Sequence, residues 1–371
     1  MKVGLNATCF NDRPSGAKQR FKGIYGSLMQ RLPNAEFMLY EPADCRVSDW
    51  FPGAENVTPI KTSIPSSGRL GKFFYGLGYW RPVFKAERFD MFECFNEPLI
   101  SCKSGKTLAT IHDVRRLYSE CSLLERQMYS LSLHNTLANA DRIITVSEAM
   151  KSEILAFYPD ARVSVIYNGL QYNEFSAVAN TDFEGVRNRF ALPREFLLSV
   201  GHFERRKNYP RLLDAIALLR DRGMDCHLVI VGNDSGERLL IEDKLAALNL
   251  SSRVTILSGL SDIEVRCIYK LSNLFIFPSS YEGFGIPILE AMASSVPTVL
   301  SDIPVFREIT ENRGIYFPHD DVEAMADAIA LLLDSRERQQ ELITYGQQRV
   351  QDFSFDKLSA QVASLYCSLM L

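Results

Sequence analysis

No apolar run in these 371 residues approaches the ~18 that a membrane-spanning helix requires. The opening Met1-Lys2-Val3-Gly4-Leu5-Asn6-Ala7-Thr8 turns polar too soon for a secretory leader. Both absences set the expectation of a cytoplasmic protein. There is no basic excess either: 41 Lys and Arg face 45 Asp and Glu, and a formal net charge of −4 argues against nucleic acid as a partner. The eight cysteines form no C-x-x-C pair and no metal-ligand spacing. They read as reduced core thiols, as in the apolar runs around Cys226 and Cys267, and no metal or other cofactor is expected. No glycine-rich dinucleotide fingerprint follows the first strand, and the G-x-x-x-x-G-K-[S/T] phosphate loop is missing, which sets dehydrogenase and kinase chemistry aside.

What is present is enough apolar residue, 46%, for two cores. Short β-rich runs alternate with helical patterns at Lys2 to Asn6, Glu36 to Tyr40, Met91 to Phe95, Leu108 to Ile111, Arg142 to Val146 and Val163 to Tyr167. After a polar stretch from Leu170 to Leu192 the rhythm restarts at Phe196 to Val200, Leu228 to Val231, Val254 to Leu257, Leu274 to Phe277, Thr298 to Leu300 and Ile315 to Phe317. This predicts an α/β chain of two doubly wound Rossmann-like domains, residues 1–170 and 171–352, joined near Asn168-Gly169. Ligands of open parallel sheets lie at the strands' carboxyl ends, so a cleft between two such edges is expected to hold the substrates.

The most informative run is Tyr281-Glu282-Gly283-Phe284-Gly285-Ile286-Pro287-Ile288-Leu289-Glu290-Ala291-Met292. An apolar strand stops at Pro278-Ser279-Ser280, a glycine turn follows, and Pro287 sits where a helix would begin. A helix start offers unpaired N–H groups and partial positive charge to phosphate or hydroxyl oxygens. Glu282 precedes the turn and Glu290 falls about one helical turn in, so two carboxylates flank one anion site. A second cluster, Gly201-His202-Phe203-Glu204-Arg205-Arg206-Lys207-Asn208, follows the strand Leu197 to Val200. That puts its cations at a carboxyl end, in the expected cleft, where they face an anionic ligand or form no more than a solvated surface cluster. A third, Thr110-Ile111-His112-Asp113, closes a strand of the first domain.

The segment from Tyr281 to Val299, with the Arg206-Lys207 pair, resembles family 4 of the retaining glycosyltransferases with the GT-B fold. The resemblance implies two Rossmann-like domains facing across a cleft, the first for the acceptor and the second for the nucleotide-sugar donor. It also implies a terminal helix, about 353–371, that returns to the first domain. It assigns Glu282 to the transferred sugar, Glu290 to the ribose hydroxyls and Arg206 and Lys207 to the diphosphate. His112 takes the place of the histidine that orients the donor sugar. Gly16, Gly201, His202, Asn233, Gly283, Phe284, Gly285, Ile286 and Pro287 complete the donor-binding set. Two departures stand out: His202 replaces a common arginine, and Ala17-Lys18 stand where a second glycine is usual, with Lys18 or Arg20 left to supply charge.

The implied activity is retaining, metal-independent transfer of a hexose from GDP-mannose or a UDP-hexose such as UDP-glucose. The acceptor would be a saccharide or lipid-linked saccharide in surface polysaccharide assembly. Basic and aromatic residues interleave through 68–88, which suits peripheral docking on the cytoplasmic membrane face as well as it suits a helix packed on its own domain. The rival readings are a nucleotide-sugar or glycan-binding protein without catalysis, and a nucleotide-sugar 2-epimerase.

Overall fold

The computed structural model describes residues 1–13, 15–95, 105–118, 122–176 and 183–370, with the side chains of 69–77 outside the description. The chain divides into two units, one of Met1–Gly169 together with the residues from Phe353 on, the other Leu170–Asp352.

The first unit holds seven strands: β1 Lys2–Asn6, β2 Glu36–Glu41, β3 Val57–Lys61, β4 Met91–Phe95, β5 Lys106–Ile111, β6 Arg142–Thr145 and β7 Val163–Val165. All pair in parallel in the order β3-β2-β1-β4-β5-β6-β7. Parallel strands covered on both faces require near-continuous apolar sequence, and the burial of Val3, Leu5, Phe37, Leu39, Met91 and Phe92 matches it. The sequence pattern does not predict the edge strand β3, because a proline breaks Val57-Thr58-Pro59-Ile60-Lys61; in the fold the strand is largely exposed. An edge is where a sheet tolerates a missing donor.

The final helix, Phe355–Met370, buries Phe355, Leu358, Val362 and Tyr366 in this core. Its Tyr366 hydroxyl donates at 2.5 Å to Glu93, a fully buried carboxylate on β4 that also receives Tyr25 Oη at 2.5 Å and Thr110 Oγ1 at 2.8 Å. Opposite this helix the chain from Phe21 to Tyr25 winds as a π-helix. There a Cβ on Gly23 would lie 2.2 Å from the Phe355 ring, so only glycine permits the approach. Gly169 is likewise packed, against Phe353, Phe355 and Leu358. In the helix Arg69–Ala86, Trp80 turns inward onto Tyr40 and Phe92 while Arg81 and Lys85 stay exposed. The aromatic residues Phe73, Phe74 and Tyr75 and the basic Arg69 and Lys72 of the 68–88 stretch fall where side chains are not described. Among the described residues no helix is long and apolar enough to cross a membrane.

The second unit holds six strands: β8 Leu197–Val200, β9 Leu228–Val231, β10 Val254–Leu257, β11 Leu274–Phe277, β12 Thr298–Ser301 and β13 Ile315–Phe317. They are parallel in the order β10-β9-β8-β11-β12-β13. Both sheets therefore reverse direction beside their first strand, between β1 and β4 and between β8 and β11. Of the cysteines described, Cys45, Cys94 and Cys267 are buried as expected, Cys9 and Cys226 are only half-buried, and Cys367 is exposed on the final helix and does not belong to a core.

Candidate functional site

β8 and β11 lie side by side where the second sheet reverses, so the segments leaving them cover the crevice that open α/β sheets use for ligands. From β8 come Gly201, His202 and the 3₁₀ turn Arg205–Lys207; from β11 come Pro278 to Gly285 and the helix Ile286–Ala293. Backbone bonds join the two. Ser280 N donates to Arg206 O at 2.8 Å. Asn208, left-handed at φ 59°, gives its side-chain amide to Pro278 O at 3.1 Å and His319 O at 2.7 Å.

This brings Glu282, Arg206 and Lys207 together. Lys207 Nζ lies 2.7 Å and Arg206 Nη1 2.5 Å from the same oxygen, Glu282 Oε1, and Arg206 Nε lies 2.7 Å from Glu204 Oε2. Lys207 Nζ also sits 4.5 Å from the centre of the Phe277 ring. Burial pushes the Glu282 carboxyl up, but Lys207 and Arg206 outweigh it and hold the group at about 2. Burial draws Lys207 below the usual lysine value against the pull of Glu282. Arg206 is raised, because Glu282 and Glu204 overcome its burial. Two carboxylates and two cations cancel, leaving a locally neutral cluster. Arg205 points to solvent.

Close contact explains the glycines. A Cβ at Gly201 would stand 2.9 Å from Lys207 Cε, and one at Gly232 would stand 2.0 Å from the Gly201 carbonyl oxygen. Gly285, at φ 126°, takes a conformation that side-chain-bearing residues rarely adopt, and it caps the helix whose first turn contains Pro287. Phe284 and Ile286 are buried and Gly283 is half-buried. One turn into that helix, Glu290 Oε2 accepts a hydrogen bond from Tyr269 Oη at 2.9 Å. Burial lifts the Glu290 carboxyl to about 6, against the Tyr269 hydrogen bond. His202 is half-buried with its Nδ1 enclosed and unbonded. Asn233 ties loops together, its Oδ1 accepting from Gly259 N at 3.1 Å. Among the described residues no group of three His, Cys, Asp or Glu is placed to hold a metal ion.

Two family models match this chain in succession: "Glycosyltransferase Family 4" over residues 36–173 and "Glycosyl transferases group 1" over 182–349. The chain belongs to the family 4 glycosyltransferases. It is 27% identical to the O-antigen chain mannosyltransferase RfbU of Salmonella typhimurium over 74% of each chain. With the lipopolysaccharide core biosynthesis mannosyltransferase LpsB of Rhizobium meliloti it shares 28% identity over 58% of this chain and 63% of that one. Among solved structures it superposes on sucrose-phosphate synthase from Thermosynechococcus elongatus with a TM-score of 0.77 at 19% identity, covering 99% of this chain and 98% of that one. It superposes on Anabaena Alr3699/HepE in complex with UDP-glucose with a TM-score of 0.77 at 18% identity, covering both chains completely. These likenesses identify the fold as GT-B.

For this family 4 glycosyltransferase, His112 and Gly16 belong to the first unit and the other candidates to the second. His112 directly follows β5; burial, with the Arg20 guanidinium adding to it, lowers its pKa to about 3, so the imidazole is neutral at physiological pH. Gly16 opens a short helix capped by Ser15 Oγ, which accepts from Lys18 N at 3.2 Å. Arg20, one of the two cations left to supply charge, keeps its Nε and Nη2 enclosed without a hydrogen-bond partner. Arg20 is 2% exposed and its Nη1 donates to Ile166 O at 2.8 Å and to Tyr167 O. Lys18 instead bonds Asp12 O at 3.2 Å and lies over the Trp50 ring. The residues that sequence reasoning overlooked are Tyr269 and Tyr209, the latter donating to Gly201 O at 2.8 Å.

Proposed function

We propose that this glycosyltransferase moves a hexose from a nucleoside-diphospho-sugar to a saccharide or lipid-linked saccharide acceptor during surface polysaccharide assembly, retaining the anomeric configuration. The observation that carries this reading is the buried set of Lys207, Arg206 and Glu282 at the reversal point of the second sheet. Arg206 and Lys207 would receive the diphosphate, whose charge grows as the glycosidic bond breaks. Both cations grip Glu282 Oε1, which leaves Oε2 to accept from hydroxyls of the transferred sugar. The N-terminal end of the helix Ile286–Ala293 adds backbone donors for phosphate, and Glu290 accepts from the ribose.

In the transfer step the acceptor oxygen bonds to the anomeric carbon on the face the diphosphate leaves. The acceptor proton passes to the departing phosphate oxygen. Neutral His112 would orient the sugar by hydrogen bonding. Glu282, ion-paired to two cations, is a poor candidate for a covalent nucleophile.

GDP-mannose is the first donor to test, since mannosyltransferases recur among the similar proteins. A UDP-hexose is the second, since Alr3699/HepE was solved with UDP-glucose. A thermal-shift panel of GDP, UDP, ADP and their hexose conjugates decides between them. A ligand at 100 times its dissociation constant adds about 2.7 kcal/mol to apparent stability. Stabilisation by one nucleotide family supports the reading, and binding without transfer to any acceptor would favour a non-catalytic binding protein. Co-sedimentation with anionic vesicles tests membrane docking through 68–88.

A further inference from the structure

Tyr269 is fully buried on the helix Asp262–Leu271, its ring 5.5 Å from that of Phe275. Its hydroxyl faces two acceptors, Glu290 Oε2 at 2.9 Å and Pro287 O at 3.4 Å. One hydroxyl has one proton, and the shorter, charge-assisted bond to the carboxylate claims it. The phenol cannot swing away, because its ring is walled in. It therefore fixes the Glu290 rotamer with one oxygen engaged and Oε1 left to meet a ligand. The other charged groups bearing on Glu290 are Asp262 and Arg266 from the same helix as Tyr269, and Lys207 from the turn after β8.

We propose that Tyr269 is a positioning residue of the donor site, which aims Glu290 at the ribose and so sets the preference for ribonucleotides over 2′-deoxyribonucleotides. The inference rests on the reading of Glu290 as the ribose contact. A carboxylate held in one rotamer makes both ribose hydroxyl bonds at little ordering cost, whereas a free one must be ordered on binding.

Isothermal titration of GDP against 2′-deoxy-GDP, and of UDP against 2′-deoxy-UDP, tests this with the natural protein, Tyr269→Phe, Glu290→Ala and the double variant. The natural protein should prefer the ribonucleotide by about tenfold or more, the range of a hydrogen bond to a charged group. Tyr269→Phe should shrink the ratio to about threefold by weakening the ribonucleotide alone, and should add nothing in the Glu290→Ala background. In steady-state assays it should raise the donor KM and leave kcat nearly unchanged. An undiminished ratio in Tyr269→Phe, or equal weakening of both nucleotides, overturns the positioning role. A natural protein that binds nucleotide without discrimination, or a ratio that survives Glu290→Ala, overturns it by removing the ribose contact. Failure to bind any nucleotide would sink the proposed function and this inference together.

Discussion

Lys207 Nζ lies 2.7 Å from Glu282 Oε1, and Arg206 Nη1 shares that oxygen at 2.5 Å. The pair is enclosed, with 8% of the Lys207 and 10% of the Glu282 side chain exposed, so each charge depends on the other. Removing one partner of such a pair costs about 3–5 kcal/mol, while replacing both by neutral groups can cost little. Lys207→Met should therefore lower both stability and kcat, the latter about 10²–10³-fold if the cation stabilises the leaving diphosphate. Adding Glu282→Gln should restore most of the stability and none of the activity. Urea denaturation alongside initial rates separates the two effects.

The Glu282 carboxyl, held at about 2, is depressed from its unfolded value near 4.5. Its contribution is fully present above pH 4.5 and is lost as pH falls toward 2. The upper bound is about 3 kcal/mol, from 1.36 kcal/mol per pKa unit. Glu282→Gln should flatten this part of the acid profile, measured as melting temperature between pH 3 and 6.

Glu290 has the opposite sign. Its carboxyl is raised to about 6, so its contribution is fully present below pH 4.5 and is lost as pH rises through 6. Glu290→Gln should raise the melting temperature at pH 8, by no more than about 2 kcal/mol of stability, and leave it unchanged at pH 4. The same variant should bind the donor more weakly. A stabilised but impaired protein is the expected mark of a carboxylate kept for function.

Gly201 and Gly232, which follow β8 and β9, should behave differently. At Gly201 the obstructing atom is Lys207 Cε, part of a flexible chain, so Gly201→Ala should fold, displace the lysine and lose activity. At Gly232 it is the Gly201 carbonyl oxygen at 2.0 Å, which is backbone. Gly232→Ala should be severely destabilised. Circular dichroism melts with activity assays on both variants check the contrast.

Much of this was legible in the sequence. Strands β8, β9 and β11 read clearly because parallel strands buried on both faces are near-continuous apolar runs. The Glu282–Glu290 spacing and the Arg206-Lys207 pair stood out because local chain geometry alone puts them at strand ends and a helix start. What depends on contacts distant in sequence did not show. Tyr269 lies 21 residues before Glu290 and looks like any apolar position of an amphipathic helix. Arg20 reads as a loop cation until the chain from Ile166 to Asn168 is folded over it. Gly23 is required only by Phe355, far along the chain. Strand β3 is hidden by Pro59, which an edge tolerates and a pattern rule rejects.

The proposed transfer of a sugar from a nucleotide donor depends on the cluster of Glu282, Arg206 and Lys207. The most direct measurement is release of nucleoside diphosphate from GDP-mannose, and from UDP-glucose, in the presence of lipid-linked saccharides, with NMR of the first-formed linkage. The expected result is acceptor-dependent release from one donor, a product with the donor's anomeric configuration, and loss of both in Lys207→Met. Release that persists undiminished in that variant would rule out the role of the cluster, and a linkage of inverted configuration would rule out retaining transfer.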